Sequence, residues 1–400
     1  MLQQVQSLRE YLKPGTIVTS LFFILMLVSA TLTSIILQGL FVIVAAALAG
    51  LVYRDALKFT SGEKNILIAL IVVTGLILPI NAFRTPTTVV HFAMMIACIG
   101  GSLFAVRDHA TYNRASFVVL AFAQASILAF LVLQGPAEFP LENMFEVTSS
   151  NGITSILICV QINLCIANML VSRKSCLVTA SITLYICIIG YGRGSIIAAG
   201  MVWAMSALFF SASLERTARL VIGGAVAAVL GYVGLTSYGA ITDFLDTSTK
   251  IGMGLFDDAR AAINAEYWSL LTGINIIIGA SFEGTMVDRF FNGNPHNSYI
   301  RAHHFLGLPY IFIMTALAGR SLLLPAPLVF RFYFGAMMAI LLFRASTEPV
   351  LFPTPLDLLY FSLFFLFRPG STQARTRPAA SGGELVQRTN GPNAARPFVA

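Results

Sequence analysis

Residues 16–53, TIVTSLFFILMLVSATLTSIILQGLFVIVAAALAGLVY, decide the fold of this chain. They form two apolar stretches, 16–32 and 35–53, and each is close to the ~20 residues that an α-helix needs to cross a bilayer. Almost nothing separates the two stretches, which predicts a tight helical hairpin. No small-residue cleavage site lies between them, so we expect an uncleaved first span rather than a signal peptide.

The composition extends this interpretation to the whole chain. Of its 400 residues 57% are hydrophobic and only 11% are charged, and the mean hydropathy is +0.80. Soluble domains carry about 25% charged residues, which excludes an ordinary soluble protein. Further spans are expected at 65–81, 87–106, 115–134, 151–171, 176–190, 195–212, 218–236, 297–318, 328–344 and 354–367. The sequence therefore predicts an all-α polytopic membrane protein with about twelve transmembrane helices.

The charge distribution gives the expected orientation, because Lys and Arg resist translocation. With the N-terminus inside, all but seven of the 25 cations fall on the inner side, and the outer loop 135–150 contains three glutamates and no cation. Both termini are then cytoplasmic, and residues 237–296 form a large outer loop between the ninth and tenth spans. Residues 368–400 are predicted to be a disordered basic tail that follows a membrane domain at 1–367.

The cysteines indicate no special chemistry. All five fall in or beside apolar stretches and none has CxxC spacing, so neither a disulfide framework nor a metal site is expected. They are Cys98, Cys159, Cys165, Cys176 and Cys187.

The cations on the outer side are the more informative residues. Six of the seven are arginines, whose planar guanidinium suits bidentate recognition of phosphate or carboxylate. The seven are Arg84, Arg193, Lys250, Arg260, Arg289, Arg301 and Arg344. We therefore expect the functional site on the outer face.

Three local patterns lie on that face. Gly190–Ser195 precedes the span that starts at Ile196, and a helix N-terminus there would add to the charge of Arg193, with Ser195 as a cap. In the second pattern Asn294 is the expected N-cap and Pro295 the first helical residue, which places His296 in the first turn. The simpler interpretations, a Gly-rich turn with an interfacial arginine and a structural histidine, stay open. His303 and His304 are expected to be structural.

The third pattern is a short amphipathic helix in the outer loop. Arg260, Tyr267 and Trp268 would share one helical face, which could hold a phosphate and stack a sugar ring. An interfacial anchor helix would have the same aromatic residues. Glu348, four residues after Arg344, is an ionisable group at the outer end of a span and is therefore a functional candidate, although a simple surface ion pair is the alternative.

Taken together, these residues resemble the bacterial O-antigen ligase/polymerase family of polytopic membrane glycosyltransferases. The resemblance covers about residues 180–367 in detail and the remainder only as topology. It is carried by the order and spacing of Arg193-Gly194-Ser195, Arg260 with Trp268, Gly279 and Gly284, Pro295-His296-Asn297 with Gly307-Leu308, and Glu348 before a Pro-rich final span.

The resemblance implies metal-independent transfer of an oligosaccharide from undecaprenyl diphosphate to an acceptor at the periplasmic face of the bacterial inner membrane. Arg193 and Arg260 would grip the diphosphate, and His296 would activate or orient the acceptor hydroxyl. Gly192 stands where the family commonly has Ser, which leaves one hydroxyl contact open. No cofactor, metal or nucleic acid is expected. The candidate substrate-binding residues are Ser195, Tyr267, Trp268, Asn297, Arg301 and Glu348.

Several functions remain open within and beyond this family. The favoured one is the repeat-unit polymerase of an exopolysaccharide or O-antigen, and the alternative is the ligase that joins finished polymer to the lipopolysaccharide core. Either would work beside a flippase and chain-length or export proteins. A twelve-span transporter or flippase would instead show related halves and ionisable groups near the bilayer midplane. A non-catalytic partner of an export complex is the last candidate.

Overall fold

The structure, a computed structural model, describes residues 9–56, 61–135, 137, 139–145, 148–212, 214–215, 217–218, 258–324 and 326–367. Within these residues every regular element is helical. Nine of the described helices are long and apolar enough to cross a membrane. The chain is therefore an all-α polytopic membrane protein, as its sequence predicts.

Most of the described helices are separated from the next by only a few residues, and the gaps 135–149 and 213–257 are longer. We number those before residue 213 α1 (Pro14–Leu32), α2 (Ile35–Ala56), α3 (Ser61–Arg84), α4 (Thr88–Ala105), α5 (His109–Gln134), α6 (Ser150–Ser172), α7 (Leu177–Ile189) and α8 (Arg193–Ala212). Those that follow are α9 (Asp258–Ser269), α10 (Asn275–Ile278), α11 (Met286–Phe291), α12 (Ser298–Gly319), α13 (Leu328–Thr347) and α14 (Asp357–Leu366).

Eleven of the predicted spans coincide with helices, but two of these are shorter than predicted. Helix α7 has 13 residues and α14 has 10, too few to cross the hydrocarbon core alone. Helix α14 starts late because the carboxylate of Asp357 accepts hydrogen bonds from the backbone N–H groups of Phe352 and Thr354. These bonds hold 352–356 in a turn that a helix would break. The predicted ninth span, the loop up to residue 257 and the tail 368–400 lie outside the described residues.

Helix α6 is the centre of the bundle. It packs against α1, α5, α7, α8, α13 and α14, and 16 of its 23 residues are buried. Side-chain hydrogen bonds join it to its neighbours, as in the link from Gln124 through the hydroxyl of Thr183 to Gln161. Such bonds hold membrane helices together where no hydrophobic driving force acts between them.

Residues 273–280, which we call the re-entrant segment, pack against a break in α12. Gly307 has φ +77° and ψ 174°, so α12 is interrupted there, and the short helix α10 fills the space beside the break. The side-chain amide of Asn81 in α3 donates to the carbonyl oxygens of Ile278 at 2.7 Å and Phe305 at 3.0 Å. One buried asparagine therefore joins α3, the re-entrant segment and the interrupted helix.

Candidate functional site

A cavity of about 1030 Å³ opens at one end of the bundle, and we call it the polar cavity. Its wall comes from residues in the ranges 30–38, 84–91, 148–156, 281–305 and 348–356. These are the segments that the charge distribution predicts to lie on the outer side. The fold therefore brings segments distant in sequence to one end of the bundle, where they enclose a single space.

Glu348 lies in the cavity wall, and its carboxylate is surrounded by two arginines and a histidine. It caps the C-terminus of α13, and only 5% of its side chain is exposed. Its Oε1 accepts a hydrogen bond from Nη2 of Arg260 at 2.8 Å, while Nη1 of Arg260 donates to the carbonyl of Thr347 at 2.9 Å. Nδ1 of His296 lies 3.8 Å from Oε2, and Nη2 of Arg344 lies 4.0 Å from Oε1.

The carboxylate of Glu348 is ionised despite its burial. Burial alone would raise its pKa, but the His296 imidazole and the guanidinium groups of Arg344 and Arg260 together hold the pKa below the usual value for glutamate. The site thus contains a fixed negative charge with a histidine and two arginines around it.

The side chain of Arg344 is buried and links several helices, so Arg344 and Glu348 are not a surface ion pair. The Arg344 side chain is 1% exposed and its guanidinium donates to the hydroxyls of Ser195 at 2.9 Å and Thr347 at 2.5 Å. It also donates to the carbonyl of Asn151 at 3.3 Å and to the hydroxyl of Ser155. These contacts join the starts of α6 and α8 to the end of α13.

The segment Gly190–Ser195 differs from the prediction that Ser195 caps the following helix. Gly192 precedes α8 and accepts the first helical bond from Ile196, so Ser195 is inside the helix and does not cap it. Its buried hydroxyl bonds to Thr154 at 2.7 Å and to Arg344. Arg193 is half-buried at the first position of α8, and its side chain does not line the polar cavity.

His296 lies before α12 and not in its first turn. Asn297 is the N-cap, with its side chain accepting from the N–H groups of Tyr299 and Ile300, so the prediction of Asn294 as N-cap and Pro295 as first helical residue is wrong. His296 takes a positive φ of 50°, which a helix start at Pro295 would not allow. Its ring stands edge-on to Phe291, and its buried Nδ1 has no hydrogen-bond partner in the described part of the chain.

The two aromatic residues predicted to share one face of α9 lie in different surroundings, one buried and one exposed. Tyr267 is buried, and its hydroxyl lies 3.2 Å from Nδ1 of His303 and accepts from the N–H of Ala280. This burial raises the pKa of the Tyr267 hydroxyl. Trp268 is 66% exposed, because consecutive helical residues point about 100° apart. The prediction that Arg260, Tyr267 and Trp268 share one face is therefore wrong.

His303 and His304 support the re-entrant segment, as expected for structural histidines. Nε2 of His303 lies 2.9 Å from the carbonyl oxygen of Ile276, and Nδ1 of His304 lies 2.7 Å from that of Ala280. The ring of His304 also stacks on Phe282 with the centroids 3.9 Å apart. These contacts fix the floor of the polar cavity.

Two arginines reach the polar cavity itself. Arg84, at the end of α3, and Arg301, in the first turn of α12, both lie in its wall. Among the predicted site residues, Glu348 and Arg301 line the cavity. Those that do not are Arg193, Ser195, Arg260, Tyr267, Trp268, His296 and Asn297. The sequence analysis missed Arg84 and Arg344 as central residues, and the signal that they share is that both are cations on the predicted outer side.

No cluster of metal-binding side chains occurs in the part of the chain that the structure describes. The expectation of a metal-free site stays a prediction. Comparisons with models of known families, with curated proteins and with solved structures find no match to this chain.

Proposed function

We propose that this chain is a membrane glycosyltransferase that moves an oligosaccharide from undecaprenyl diphosphate to a hydroxyl acceptor at the periplasmic face. The observation that best supports the proposal is the polar cavity of about 1030 Å³ at one end of an apolar bundle. Its wall includes Arg84, Arg301 and Glu348, and His296 lies behind the wall, 3.8 Å from the Glu348 carboxylate. Sites for small ligands commonly measure about 300–1000 Å³, so this one has room for a diphosphate and several sugar rings.

The proposed reaction is a displacement at an anomeric carbon. The acceptor hydroxyl forms the new bond to that carbon, and the bond from the carbon to the diphosphate oxygen breaks. The lipid diphosphate leaves with the bonding electron pair and gains negative charge. Cations held in advance near the departing oxygen lower the barrier to such a step.

The hydroxyl proton needs an acceptor, and the imidazole of His296 suits this role. We assign the proton to its Nε2, with Nδ1 facing the Glu348 carboxylate 3.8 Å away. An ionised carboxylate behind an imidazole stabilises the imidazolium that forms, as in other carboxylate–histidine pairs. Arg260 is bound to the other oxygen of Glu348 and fixes the orientation of the carboxylate.

Transfer by purified protein tests this proposal. In proteoliposomes with a lipid-linked repeat unit, the wild-type chain should form glycosidic bonds, and His296→Ala and Glu348→Gln should reduce the rate at least about 100-fold, the range that a general base contributes. Glu142→Gln is the matched control, since Glu142 is exposed and outside the cavity wall. A chain that translocates the lipid without forming a bond would instead be a transporter or flippase.

Within this class we favour the repeat-unit polymerase, with the ligase as the alternative. The lipid-linked glycans of a deletion strain distinguish them. Single repeat units on the lipid indicate a lost polymerase, whereas long lipid-linked polymer indicates a lost ligase.

The proposed orientation places both termini in the cytoplasm and residues 237–296 in the periplasm of the inner membrane. Reporter fusions at Gly254 and Gly383 should be periplasmic and cytoplasmic, respectively. The opposite result would contradict the proposed side of the reaction.

A further inference from the structure

The arginines near the polar cavity differ in how their charges are neutralised. Arg260 bonds to the Glu348 carboxylate at 2.8 Å, and Arg344 lies 4.0 Å from the same group. In the described part of the chain, neither Arg84 nor Arg301 has a carboxylate within 4.0 Å. The other carboxylates of the cavity wall, Glu283 and Asp288, are therefore also beyond ion-pair distance.

Arg301 stands at a position that disfavours a positive charge. It is the fourth residue of α12, close to the positive end of the helix dipole, which destabilises a cation. Its one hydrogen bond to the described protein runs from Nη1 to the carbonyl oxygen of Pro349 at 3.3 Å. The buried Asp357 carboxylate acts on the Arg301 charge only from beyond ion-pair distance. A cation with no carboxylate in contact at the edge of a membrane bundle is costly, which indicates that an external anion supplies the closer counter-charge.

Arg84 is held in a fixed orientation by only one of its three nitrogens. Nη1 donates to the side-chain oxygen of Asn275 at 3.2 Å and to the carbonyl oxygen of Gly279 at 3.1 Å. Nε and Nη2 make no hydrogen bond to the described protein, so their N–H groups are available to a ligand. A guanidinium fixed in this way has already lost much of the side-chain freedom that binding an anion would cost.

We propose that Arg84 and Arg301 form the subsite that binds the diphosphate of the lipid-linked donor. The inference rests on the proposed function, and it differs from the assignment of that role to Arg193 and Arg260. Three N–H groups of Arg84 and four of Arg301 have no acceptor in the described protein. They belong to planar forks, the geometry that phosphate oxygens match best. The charge of Arg260 is already partly neutralised by Glu348, so Arg260 would attract a phosphate less strongly. Arg260 is then a positioning residue for Glu348.

Binding of inorganic pyrophosphate and of farnesyl diphosphate to the purified full chain tests the subsite without any transfer reaction. Calorimetry at constant ionic strength should show that both bind and that farnesyl diphosphate binds more tightly. Arg84→Gln and Arg301→Gln should each weaken binding by about 10- to 100-fold, the effect of losing a charged hydrogen bond. Arg289→Gln is the matched control, since Arg289 is exposed and outside the cavity wall.

Two further variants separate a lost charge from a disturbed fold. Asn275→Ala removes a contact of Arg84 but keeps its charge, so pyrophosphate should still bind. Arg260→Gln should also keep binding, although it should lose transfer. Loss of binding in Arg260→Gln with full binding in both Arg84→Gln and Arg301→Gln would overturn the proposal, as would a wild-type chain that binds neither ligand.

The same measurements distinguish this proposal from the proposed function. Diphosphate binding that depends on Arg84 and Arg301 in a chain that forms no glycosidic bond would support the subsite and contradict the enzyme. Glycosyl transfer at wild-type rates by both variants would support the enzyme and overturn the subsite. Equal affinity for pyrophosphate and farnesyl diphosphate would overturn the lipid-linked identity of the ligand.

Discussion

Gly279 is the residue on which the floor of the polar cavity depends most directly. It has φ +94° and ψ 157°, a region that is essentially restricted to glycine. A Cβ atom at this position would lie 1.9 Å from the carbonyl oxygen of His303 in α12. Because that oxygen belongs to the backbone, a side-chain rotation cannot relieve the contact. In Gly279→Ala the re-entrant segment must therefore move away from α12.

The cost of this movement follows from the bonds that it breaks. Asn81 donates to the carbonyl oxygen of Ile278, Arg84 donates to that of Gly279, and His304 bonds to that of Ala280. A typical hydrogen bond contributes about 0.5–1.5 kcal/mol, and one to a charged group about 1.5–3 kcal/mol. Loss of all three would lower the free energy of unfolding by roughly 3 kcal/mol, in addition to about 1–3 kcal/mol for the forbidden backbone conformation.

Gly273→Ala provides the matched control for this prediction. Gly273 also has a positive φ, 55°, and lies six residues earlier in the same segment, but nothing is within 4 Å of a Cβ built there. It should therefore lose only the backbone contribution, roughly 1 kcal/mol. A chain of this size should shift by about 1–2 °C per kcal/mol, less than the 2–4 °C of medium-sized domains, so we expect Gly279→Ala to melt about 3–10 °C below Gly273→Ala.

The assay uses the cysteines of the chain. All five are buried and free, so a thiol-reactive dye reports unfolding of the detergent-purified protein as the temperature rises. Pyrophosphate affinity should fall together with the melting temperature in Gly279→Ala, because the displaced carbonyl no longer orients Arg84. Equal melting temperatures for the two alanine variants would refute the close packing of the re-entrant segment on α12.

Three other predictions follow from the charges at the site. Glu348→Gln should melt below the control Glu142→Gln at neutral pH. The pKa of Glu348 is lower in the folded chain than in the unfolded chain. Its ionised form therefore stabilises the fold fully above the unfolded pKa of about 4.3, and this stabilisation is lost as the pH falls through the folded pKa. The melting temperature of Glu348→Gln should consequently change less on acidification than that of wild type. Arg344→Lys should lose at least about 2 kcal/mol, because an ammonium cannot reach all the oxygens around the guanidinium, whereas the exposed Arg289→Lys should melt like wild type. Transfer should persist in EDTA, and activity that EDTA removes and magnesium restores would contradict a metal-independent reaction.

The sequence predicts the helices well because bilayer thickness imposes a simple rule on apolar length. It also indicates which segments share one face, since the positive-inside rule acts on each loop separately. That is enough to anticipate that 281–305 and Glu348 lie near each other. Glu348 does lie in the cavity wall, with Arg260 and His296 beside it.

The sequence does not predict which arginines are neutralised, because this depends on contacts between helices that are distant along the chain. Arg344 and Arg84 have similar local surroundings in the sequence, each near the C-terminal end of an apolar span. In the structure Arg344 points into the bundle between α6 and α8, whereas Arg84 points toward the re-entrant segment. The start of α12 was misplaced for a related reason: Asn-Pro is a typical helix start, but Asn297 provides a second cap two residues after Pro295.

The last turn of α13 changes how loss-of-function variants at this site should be interpreted. Arg344 joins this turn to Ser195 in α8, and Glu348 joins it to Arg260 and to Ser298, whose hydroxyl donates to the Glu348 carbonyl at 2.7 Å. A Cβ at Gly194 would lie only 2.8 Å from Nη1 of Arg344, so a shift at the start of α8 reaches Glu348 through Arg344. Inactive variants of Arg193 or Arg260 would therefore not by themselves show that these residues touch the diphosphate. Only a binding measurement separates an arginine that contacts the donor from one that holds Glu348 in place.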